Sequence, residues 1–405
     1  MVTESWRKNL YAIFIAEFLV LMGFSFVNPF LPLYIQQLGN FTNKEAAFWS
    51  GLAIGGSGIA MFFSAPFWGI IADRWGRKPM VLRSQFGSAV ILTLMGLAPN
   101  VPSIVALRFI QGLLSGTVAA ASALVAATVP RDKMPFAMGL LMVAVFGGST
   151  IGPLLGGSLA DIFGYKITFF VTGGLLLAGG LVVLFFVTEK FERPAPGQGV
   201  SLRSLWHLAK SREMLPLLIS LGALQMGPQM IQPVIPVFMR ELDPAGKAAT
   251  LSGLTFSLLG VVAAISAFIA GRLGKRISLK KMLIFSCLGT GLLYLPPIWA
   301  GTATQLLLFI AMTGLMKGGL MTSSNALVSL SVSQSEQGIA FGLAQSANSI
   351  GNGFGPLIGG VLTPLVGLRA VFGVASGLFL VTGLTVSKLL AASAGGGSSQ
   401  KKKAN

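Results

Sequence analysis

Long stretches without a charged residue dominate the chain. Twelve of them contain at least 18 residues each, and a helix that crosses the hydrocarbon core of a membrane needs about 20 apolar residues. Turn residues such as proline, glycine, asparagine and aspartate separate the apolar stretches. We therefore predict twelve membrane-spanning helices, which cover residues 9–37, 47–71, 80–98, 103–128, 137–160, 166–188, 214–238, 249–271, 282–300, 304–329, 338–362 and 368–390.

The composition supports an all-α membrane protein and argues against several other classes. Of 405 residues, 53% are hydrophobic and 10% are charged, which is unlike a soluble globular protein. The single cysteine, Cys287, excludes an intramolecular disulfide. The single histidine, His207, argues against a histidine metal cluster and a Ser-His-Asp hydrolase. No Gly-x4-Gly-Lys-[Ser/Thr] loop occurs, so we expect no ATP site, no cofactor, no metal and no enzymatic activity.

The basic residues lie mostly at one end of the predicted helices. The chain has 29 Lys+Arg and a formal net charge of +17. If the N-terminus is cytoplasmic, 22 of these residues lie on the cytoplasmic side and 5 on the opposite side. The positive-inside rule then predicts a multi-pass protein of the plasma (inner) membrane with both termini in the cytoplasm. Because the basic residues are dispersed between helices, we expect no nucleic-acid partner.

The sequence repeats itself with an offset of 203 residues. Gly152-Pro153-Leu154 then aligns with Gly355-Pro356-Leu357, and Gly116 aligns with Gly319. Each copy holds six helices, so the copies share one orientation and are expected to enclose a cavity. We predict two pseudo-symmetric six-helix bundles, one at residues 1–188 and one at 214–391. A cytoplasmic linker at 189–213 joins them, and a disordered basic tail follows at 392–405.

A basic motif follows the second predicted helix. It consists of Gly69, Asp73, Arg74, Gly76, Arg77 and Lys78. Gly69 permits close helix approach and Gly76 permits a tight turn. Asp73 is placed to satisfy the N-terminus of the eleventh helix, and Arg77 to pair with Asp132 in the next loop on the same side. Such contacts would close one face of the protein, although ordinary positive-inside charges are the alternative interpretation.

The fifth predicted helix carries a run of small residues around a proline. The residues are Gly148, Gly152, Pro153, Gly156 and Gly157. They form a groove where another helix can approach closely, with a bend that can act as a pivot or a seal. The related stretch at 351–360 in the second repeat shows that helix packing explains part of this pattern. Packing alone and a specific role in exchange both remain open.

These motifs resemble those of the major facilitator superfamily. The 69–78 motif is similar to its signature loop, Arg108-Phe-Ile-Gln111-Gly112 is similar to its fourth-helix motif, and 148–157 is similar to the motif of proton-driven exporters. The chain thus resembles the twelve-helix drug:proton antiporter branch, which is a multidrug efflux branch. The resemblance implies a proton-coupled secondary active transporter that exports amphipathic, drug-like compounds by alternating access.

Three alternatives to export can be stated, and the sequence argues strongly against one of them, a membrane-embedded enzyme. A uniporter or symporter of a polar metabolite, such as a sugar or an organic acid, would have the same fold. A membrane-embedded enzyme would need paired catalytic groups at one depth, and a non-transporting receptor would need no proton site. For the exporter, we expect a monomer whose partners are protons, membrane lipid and a small amphipathic substrate.

Glu17 is the only acidic residue within a predicted span. It follows Lys8 by nine residues, so it lies on the order of 12 Å into the membrane. Burying a carboxylate there is costly, so we expect it to be protonated, paired or facing water. The resemblance implies a role in proton coupling and in recognition of cationic drugs; a purely structural carboxyl is the alternative. Some relatives have a second first-helix acid where this chain has Ser25, so a two-acid scheme is in doubt.

Two basic residues lie at least five residues from either end of a predicted span, Arg108 and Lys317. The resemblance implies that Arg108 tunes the proton affinity of Glu17; hydrogen bonding to polar groups or binding of an anionic group are the alternatives. Lys317 has no family motif, and it either lines a cavity or extends toward the membrane surface.

Polar and aromatic residues within the spans complete the predicted substrate site. Amides inside a membrane need partners or water, so several are expected to face the cavity. The substrate-binding candidates are Glu17, Phe18, Asn28, Gln111, Gln225, Gln232, Lys317 and Asn325. Further candidates are Phe14, Gln36, Gln229, Tyr294, Asn348 and Asn352.

Overall fold

A computed structural model describes residues 2–189, 191, 214–274, 276–330 and 337–401. Every regular element in these ranges is helical. The first half contains α1 (Val2–Phe26), α2 (Leu31–Gly39), α3 (Asn43–Trp75), α4 (Lys78–Gly96), α5 (Val101–Leu114), α6 (Thr117–Thr128), α7 (Met134–Phe163) and α8 (Tyr165–Phe186). The second half contains α9 (Met214–Ile231), α10 (Val234–Leu242), α11 (Ala248–Leu273), α12 (Leu279–Leu293), α13 (Ala303–Leu330), α14 (Gln337–Val366) and α15 (Leu368–Lys401). Two 3-10 turns lie at Arg131–Lys133 and Pro296–Trp299.

Three of the predicted spans are each made of two helices. The first is α1 with α2, the fourth is α5 with α6, and the seventh is α9 with α10. The breaks contain Pro29, Gly116 and Pro233. Proline has no N–H for the helical hydrogen bond, and Gly116 has a positive φ of 111° that favours glycine. The proline and glycine residues at these positions therefore account for the three breaks.

The helices form a multi-pass membrane protein with twelve spans. Within the described ranges, nine helical segments are long and apolar enough to cross a membrane. The other three spans are α4, α9 with α10, and α14. Each packs along a neighbour: α4 on α8, α9 on α14, and α14 also on α3. The predicted all-α fold with two pseudo-symmetric six-helix bundles is confirmed.

Each bundle contributes two helices to the contact with the other bundle. These pairs are α3 with α14 and α7 with α11. We call the face with residues 73–78, 129–133 and 272–278 the termini face, because the chain begins there. The opposite face, with residues 40–42, 97–100 and 243–247, is called the far face.

The bundles pack closely near the far face. A Cβ on Gly51 of α3 would lie 2.7 Å from Gly360 Cα of α14, and one on Gly58 would lie 2.8 Å from Gly353 Cα. Two polar contacts join the bundles at the far face itself. Asn43 Nδ2 donates to Glu241 Oε2 at 3.0 Å, and Thr250 donates its backbone N–H and its hydroxyl to an oxygen of Asp161, each at 2.7 Å.

The same four helices are loosely packed toward the termini face. Gly69 of α3, Gly139 of α7, Gly271 of α11 and Gly342 of α14 would each have a Cβ with nothing within 4 Å. Among the described glycines, the close contacts between bundles are therefore concentrated at the far face. The bundles are closed against each other at the far face and open at the termini face.

Parts of the predicted linker and tail lie outside the described residues. Positions 190 and 192–213 of the linker, with His207, are among them, as are 402–405. The backbone of α15 is helical to Lys401, beyond position 391, where we expected the second bundle to end. Its side chains beyond 388 are not described, so the division into bundles, linker and tail stays a prediction.

Candidate functional site

Glu17 is completely enclosed within the first bundle. Its side chain has 0% exposure. The Oε1 atom accepts a hydrogen bond from Thr117 Oγ1 at 2.6 Å and one from Gln85 Nε2 at 3.1 Å. Three separate elements, α1, α4 and α6, therefore meet at this carboxyl group.

The break in the fourth span positions one of these partners. Gly116 separates α5 from α6, and Thr117 is the first residue of α6. Thr117 is 5% exposed and Gln85 is 0% exposed, so both donors are buried with the carboxyl. A cluster of apolar side chains that includes Ile13, Ala121 and Leu124 lies in the same helices. The polar group is thus surrounded by apolar packing.

The second oxygen of Glu17 is in a different situation. Oε2 is buried and has no hydrogen-bond partner among the described residues, and the same is true of Gln85 Oε1. No ion pair joins Glu17 to a base in the described ranges. An enclosed carboxylate without a counter-ion carries a large desolvation cost, whereas a neutral carboxyl carries a much smaller one. The arrangement can therefore hold and release a proton.

Gln85 and Thr117 were not among the site residues predicted from the sequence. Both are far from Glu17 along the chain, by 68 and 100 residues. One indication was present: Gln85 is an amide at the start of an uncharged stretch, where a long polar side chain needs a partner. Thr117 had no comparable indication, because a threonine can bond the carbonyl of its own helix.

Arg108 is buried close to the other residues of its motif. It is 8% exposed, and its Nη1 donates to Gln111 Oε1 at 2.9 Å. Its Nε has no hydrogen-bond partner among the described residues. Arg108 and Gln111 thus form a local pair on α5, three residues apart. Glu17 is bonded to other residues, so an influence of Arg108 on Glu17 would be indirect in this structure.

A cavity of about 320 Å³ lies in the second bundle, where α7 of the first bundle also contributes. The lining residues are Met142, Phe146, Leu221, Leu224, Gln225, Pro228, Thr290, Tyr294, Thr313, Lys317, Leu320, Met321, Ser324, Asn325, Gln345, Asn348 and Phe379. Most are apolar, with amides and hydroxyls interspersed. This composition fits a small amphipathic molecule.

Three of the eight substrate-binding candidates line this cavity. They are Gln225, Lys317 and Asn325, and two of the further candidates, Tyr294 and Asn348, join them. The structure does not place Glu17, Phe18, Asn28, Gln111 or Gln232 in the lining. Gln225 also donates to Asn352 Oδ1 at 2.9 Å, so that amide has a structural partner.

The cavity residues that the sequence analysis did not name are mostly methionine, phenylalanine and leucine. Side chains of these types occur throughout the spans, so the sequence alone does not separate the lining ones from those that face lipid.

The small residues of the fifth span pack α7 against two other helices. A Cβ on Gly148 would lie 2.6 Å from Phe18 O, and one on Gly152 would lie 2.5 Å from Met22 O, both on α1. A Cβ on Gly157 would overlap the backbone of Ala249 on α11. One helix thus touches the helix of Glu17 and the opposite bundle.

The second repeat has the same arrangement. Gly351 and Gly355 of α14 approach α9, where a Cβ would lie 2.7 Å from Gly222 O and from Met226 O respectively. The neighbouring Gly360 contacts α3, as described above. The small-residue motif therefore serves close helix packing in both bundles, and its proposed role in exchange is additional to that.

The motif after the second span contacts a residue that the sequence analysis assigned to the linker. Glu189 accepts the backbone N–H of Arg77 at 2.9 Å and that of Lys78 at 2.8 Å. These groups begin α4, so a carboxylate lies at a helix N-terminus, where it is stabilised. Lys78 Nζ donates to Leu184 O and Val187 O at the end of α8. The motif is therefore clamped to its own bundle on the termini face.

The expected pair between Arg77 and Asp132 is not formed in this structure. Asp132 Oδ2 lies 3.2 Å from Lys133 Nζ, and both side chains are largely exposed. Both loops belong to the first bundle, and Glu189 holds the start of α4, where Arg77 lies. Arg74 is exposed, and the side chain of Asp73 lies outside the described part of the chain.

The contact between Glu189 and the start of α4 leads to a prediction about Gly76. Gly76 has φ 98° and ψ 168°, and a Cβ there would lie 2.9 Å from Glu189 Oε2. Gly164 has a similar backbone, φ 85° and ψ 162°, but its Cβ would meet nothing within 4 Å. Both alanine variants should lose about 1–3 kcal/mol to backbone strain. Gly76→Ala should lower the thermal unfolding midpoint further than Gly164→Ala, because it also displaces Glu189. Equal midpoints for the two variants would show that the contact of Glu189 with the start of α4 contributes nothing to stability.

Comparison with known sequences supports one family over nearly the whole chain. The sequence profile described as "Major Facilitator Superfamily" matches residues 13–276 and 217–404. A protein named "Multidrug resistance protein MdtG" from Citrobacter koseri is 37% identical over 378 residues, which cover 93% of this chain and 93% of that protein. The protein of the same name from Escherichia coli K12 is 36% identical over the same lengths.

Solved structures share the fold at low sequence identity. A nucleoside transporter, NupG, has a TM-score of 0.78 at 15% identity and covers 94% of this chain and 98% of its own. A bacterial homologue of the human lysosomal transporter Spinster, described as inward-facing and unoccupied, has a TM-score of 0.77 at 12% identity and covers 96% of each chain. With the profile match and the relatives above, this likeness shows that the chain belongs to the major facilitator superfamily of transporters.

Proposed function

We propose that this protein is a proton-coupled secondary active transporter that exports amphipathic, drug-like compounds by alternating access. The observation that carries the proposal is the enclosed Glu17 carboxyl, which has hydrogen-bond donors but no counter-ion in the described residues. Relatives named as multidrug resistance proteins and a largely apolar cavity support export of amphipathic compounds.

The distribution of basic residues supports a location in the plasma (inner) membrane with both termini in the cytoplasm. On that orientation, the termini face is cytoplasmic and the structure is inward-facing. Substrate would enter the cavity from the cytoplasm or the inner leaflet. The 69–78 motif would close the cytoplasmic face only in the opposite conformation, and its open position here is consistent with that role.

The helix α7 gives a physical connection between the proton site and the bundle interface. It packs through Gly148 and Gly152 on α1, which carries Glu17, and through Gly157 on α11. When the bundles separate at the far face, the α7–α11 contact must change. A change in α7 is transmitted to α1, so protonation of Glu17 and bundle movement can bias each other.

One proton supplies enough energy for this exchange. A proton that crosses with a potential of roughly 100 mV and a gradient of about one pH unit contributes about 3.7 kcal/mol, which corresponds to an approximately 500-fold accumulation. Glu17 takes the proton from the outside as substrate leaves, and it releases the proton to the cytoplasm as new substrate enters. A single carboxyl is sufficient for this scheme.

Transport by the purified full chain in proteoliposomes tests the proposal. A panel of amphipathic dyes and carboxylates is offered under an imposed pH gradient. At least one should accumulate against its own gradient, and a protonophore should abolish that accumulation. Transport that only equilibrates the compound would instead support a uniporter, and proton-driven uptake of a sugar in the same direction as the proton would support a symporter.

A further inference from the structure

Lys317 lies in the middle of α13. It follows Ala303 by 14 residues and precedes Leu330 by 13, so it is about 20 Å from either end of the helix. The four-carbon stem of a lysine is much too short to reach a membrane surface from that depth. Of the two possibilities left open by the sequence, extension toward the surface is therefore excluded by the position of Lys317.

The packing of α13 fixes the direction in which Lys317 points. A Cβ on Gly318 would overlap the backbone of Ala263 and Ala267 on α11, and one on Gly314 would lie 2.8 Å from Leu259 O. A Cβ on Gly319 would lie 2.5 Å from Ser286 Oγ on α12. These contacts hold one side of α13 against its neighbours, and Lys317 lines the cavity on another side.

Among the described residues that line the cavity, Lys317 is the only charged one. The second half of the chain places its acids near the far face, at Glu241 and Asp243, or outside the described residues, at 213 and 336. No hydrogen bond or ion pair holds Lys317 in the described ranges. An ammonium group at this depth is costly without a partner. None of the described residues that line the cavity carries the negative charge that would balance it.

The rest of the lining combines polar and apolar side chains. Met321, Ser324 and Asn325 follow Lys317 on the cavity face of α13, and Gln345 comes from α14. Leu221, Leu224, Phe146 and Phe379 provide apolar surface around them. A molecule of suitable shape would have one charged end and one apolar end.

We propose that this cavity binds an amphipathic anion, whose carboxylate or comparable acidic group pairs with Lys317 and whose apolar part contacts the leucine and phenylalanine side chains. A cation in the same place would meet an uncompensated like charge in a medium of low dielectric constant, which is strongly unfavourable. The inference rests on the proposed export function. It places the group that binds the charged end of the substrate, Lys317, in the second bundle, whereas the proton-binding carboxyl of Glu17 lies in the first. Glu17 stays free for the proton because it does not line this cavity.

Equilibrium binding to the full chain in nanodiscs tests the inference without any ion gradient. The probes are decanoate, methyl decanoate and decyltrimethylammonium, and empty nanodiscs supply the background. The parent should bind decanoate saturably and more tightly than the ester or the ammonium compound. Lys317→Met should weaken decanoate binding by about tenfold or more, because it removes a charge-assisted hydrogen bond. Lys317→Arg should retain that binding.

Two results would overturn the inference. One is that the parent protein binds decyltrimethylammonium as tightly as decanoate. This measurement uses no variant, so it is decisive even if Lys317→Met fails to fold. The other is a folded Lys317→Met protein with undiminished decanoate affinity. A failure of the proposed export function is distinguishable, because it would appear as absent proton-driven transport while anion binding remained dependent on Lys317.

Discussion

Replacing Glu17 with glutamine should abolish uphill export. The amide keeps the shape of the side chain and can still accept the hydrogen bonds of Thr117 and Gln85, but it cannot take up or release a proton. Accumulation driven by a membrane potential of roughly 100 mV together with a gradient of about one pH unit should fall from as much as about 500-fold to near equilibrium. The measurement is the substrate concentration ratio across the proteoliposome membrane at steady state.

Glu45→Gln is the matched control for this variant. Glu45 is exposed at the start of α3, and its Oε2 accepts the backbone N–H of Thr42 at 2.9 Å. A glutamine there keeps an acceptor for that hydrogen bond and removes a surface charge. Uphill export by Glu45→Gln should match the parent. If Glu17→Gln also matches the parent, Glu17 is a structural carboxyl and the proton must be carried elsewhere.

A bulky residue at Gly157 should shift the protein away from the conformation described here. A Cβ at Gly157 overlaps the backbone of Ala249, and valine adds two further carbon atoms at the far-face contact between α7 and α11. Overpacking of this kind costs about 1–3 kcal/mol, which changes the ratio of two conformations by roughly fivefold to 150-fold. The far face should therefore open in a larger fraction of molecules.

Spin labels on cysteines at Lys44 and Ala245 measure this shift. Both positions are exposed near the far face, and the native Cys287 is buried away from the label. Gly157→Val should move the distance distribution between the labels to longer values. Gly174→Val is the control, because a Cβ at Gly174 meets nothing within 4 Å. An unchanged distribution in Gly157→Val would show that this contact does not keep the far face closed.

The fold could be predicted largely from the sequence because its determinants are local. Uncharged stretches of sufficient length define the spans, and Pro29, Gly116 and Pro233 mark the positions where spans are divided. The repeat with an offset of 203 residues predicts the pairing of helices in the two bundles. Membrane burial leaves few alternatives to helices, so these local patterns are sufficient.

The site was less predictable because its contacts join residues that are distant along the chain. Glu17 was identifiable as an isolated acid, whereas Thr117 is brought to it only by the packing of α6 on α1. Glu189 carries an ordinary loop charge in the sequence, and its position at the start of α4 depends on where α8 ends. The contact of Asp132 with the adjacent Lys133, in place of Arg77, depends on the placement of exposed loop side chains, which the sequence does not specify.

The most direct test of the central claim is the movement of protons driven by substrate alone. Proteoliposomes are prepared with equal pH on both sides, a substrate gradient and an internal pH indicator, and the membrane potential is clamped. The parent should move protons opposite to the substrate, with an internal pH change that stops when the substrate gradient is exhausted, and Glu17→Gln should produce no such change. Substrate flux without proton movement in the parent, or equal proton movement in Glu17→Gln, would contradict proton-coupled export through Glu17.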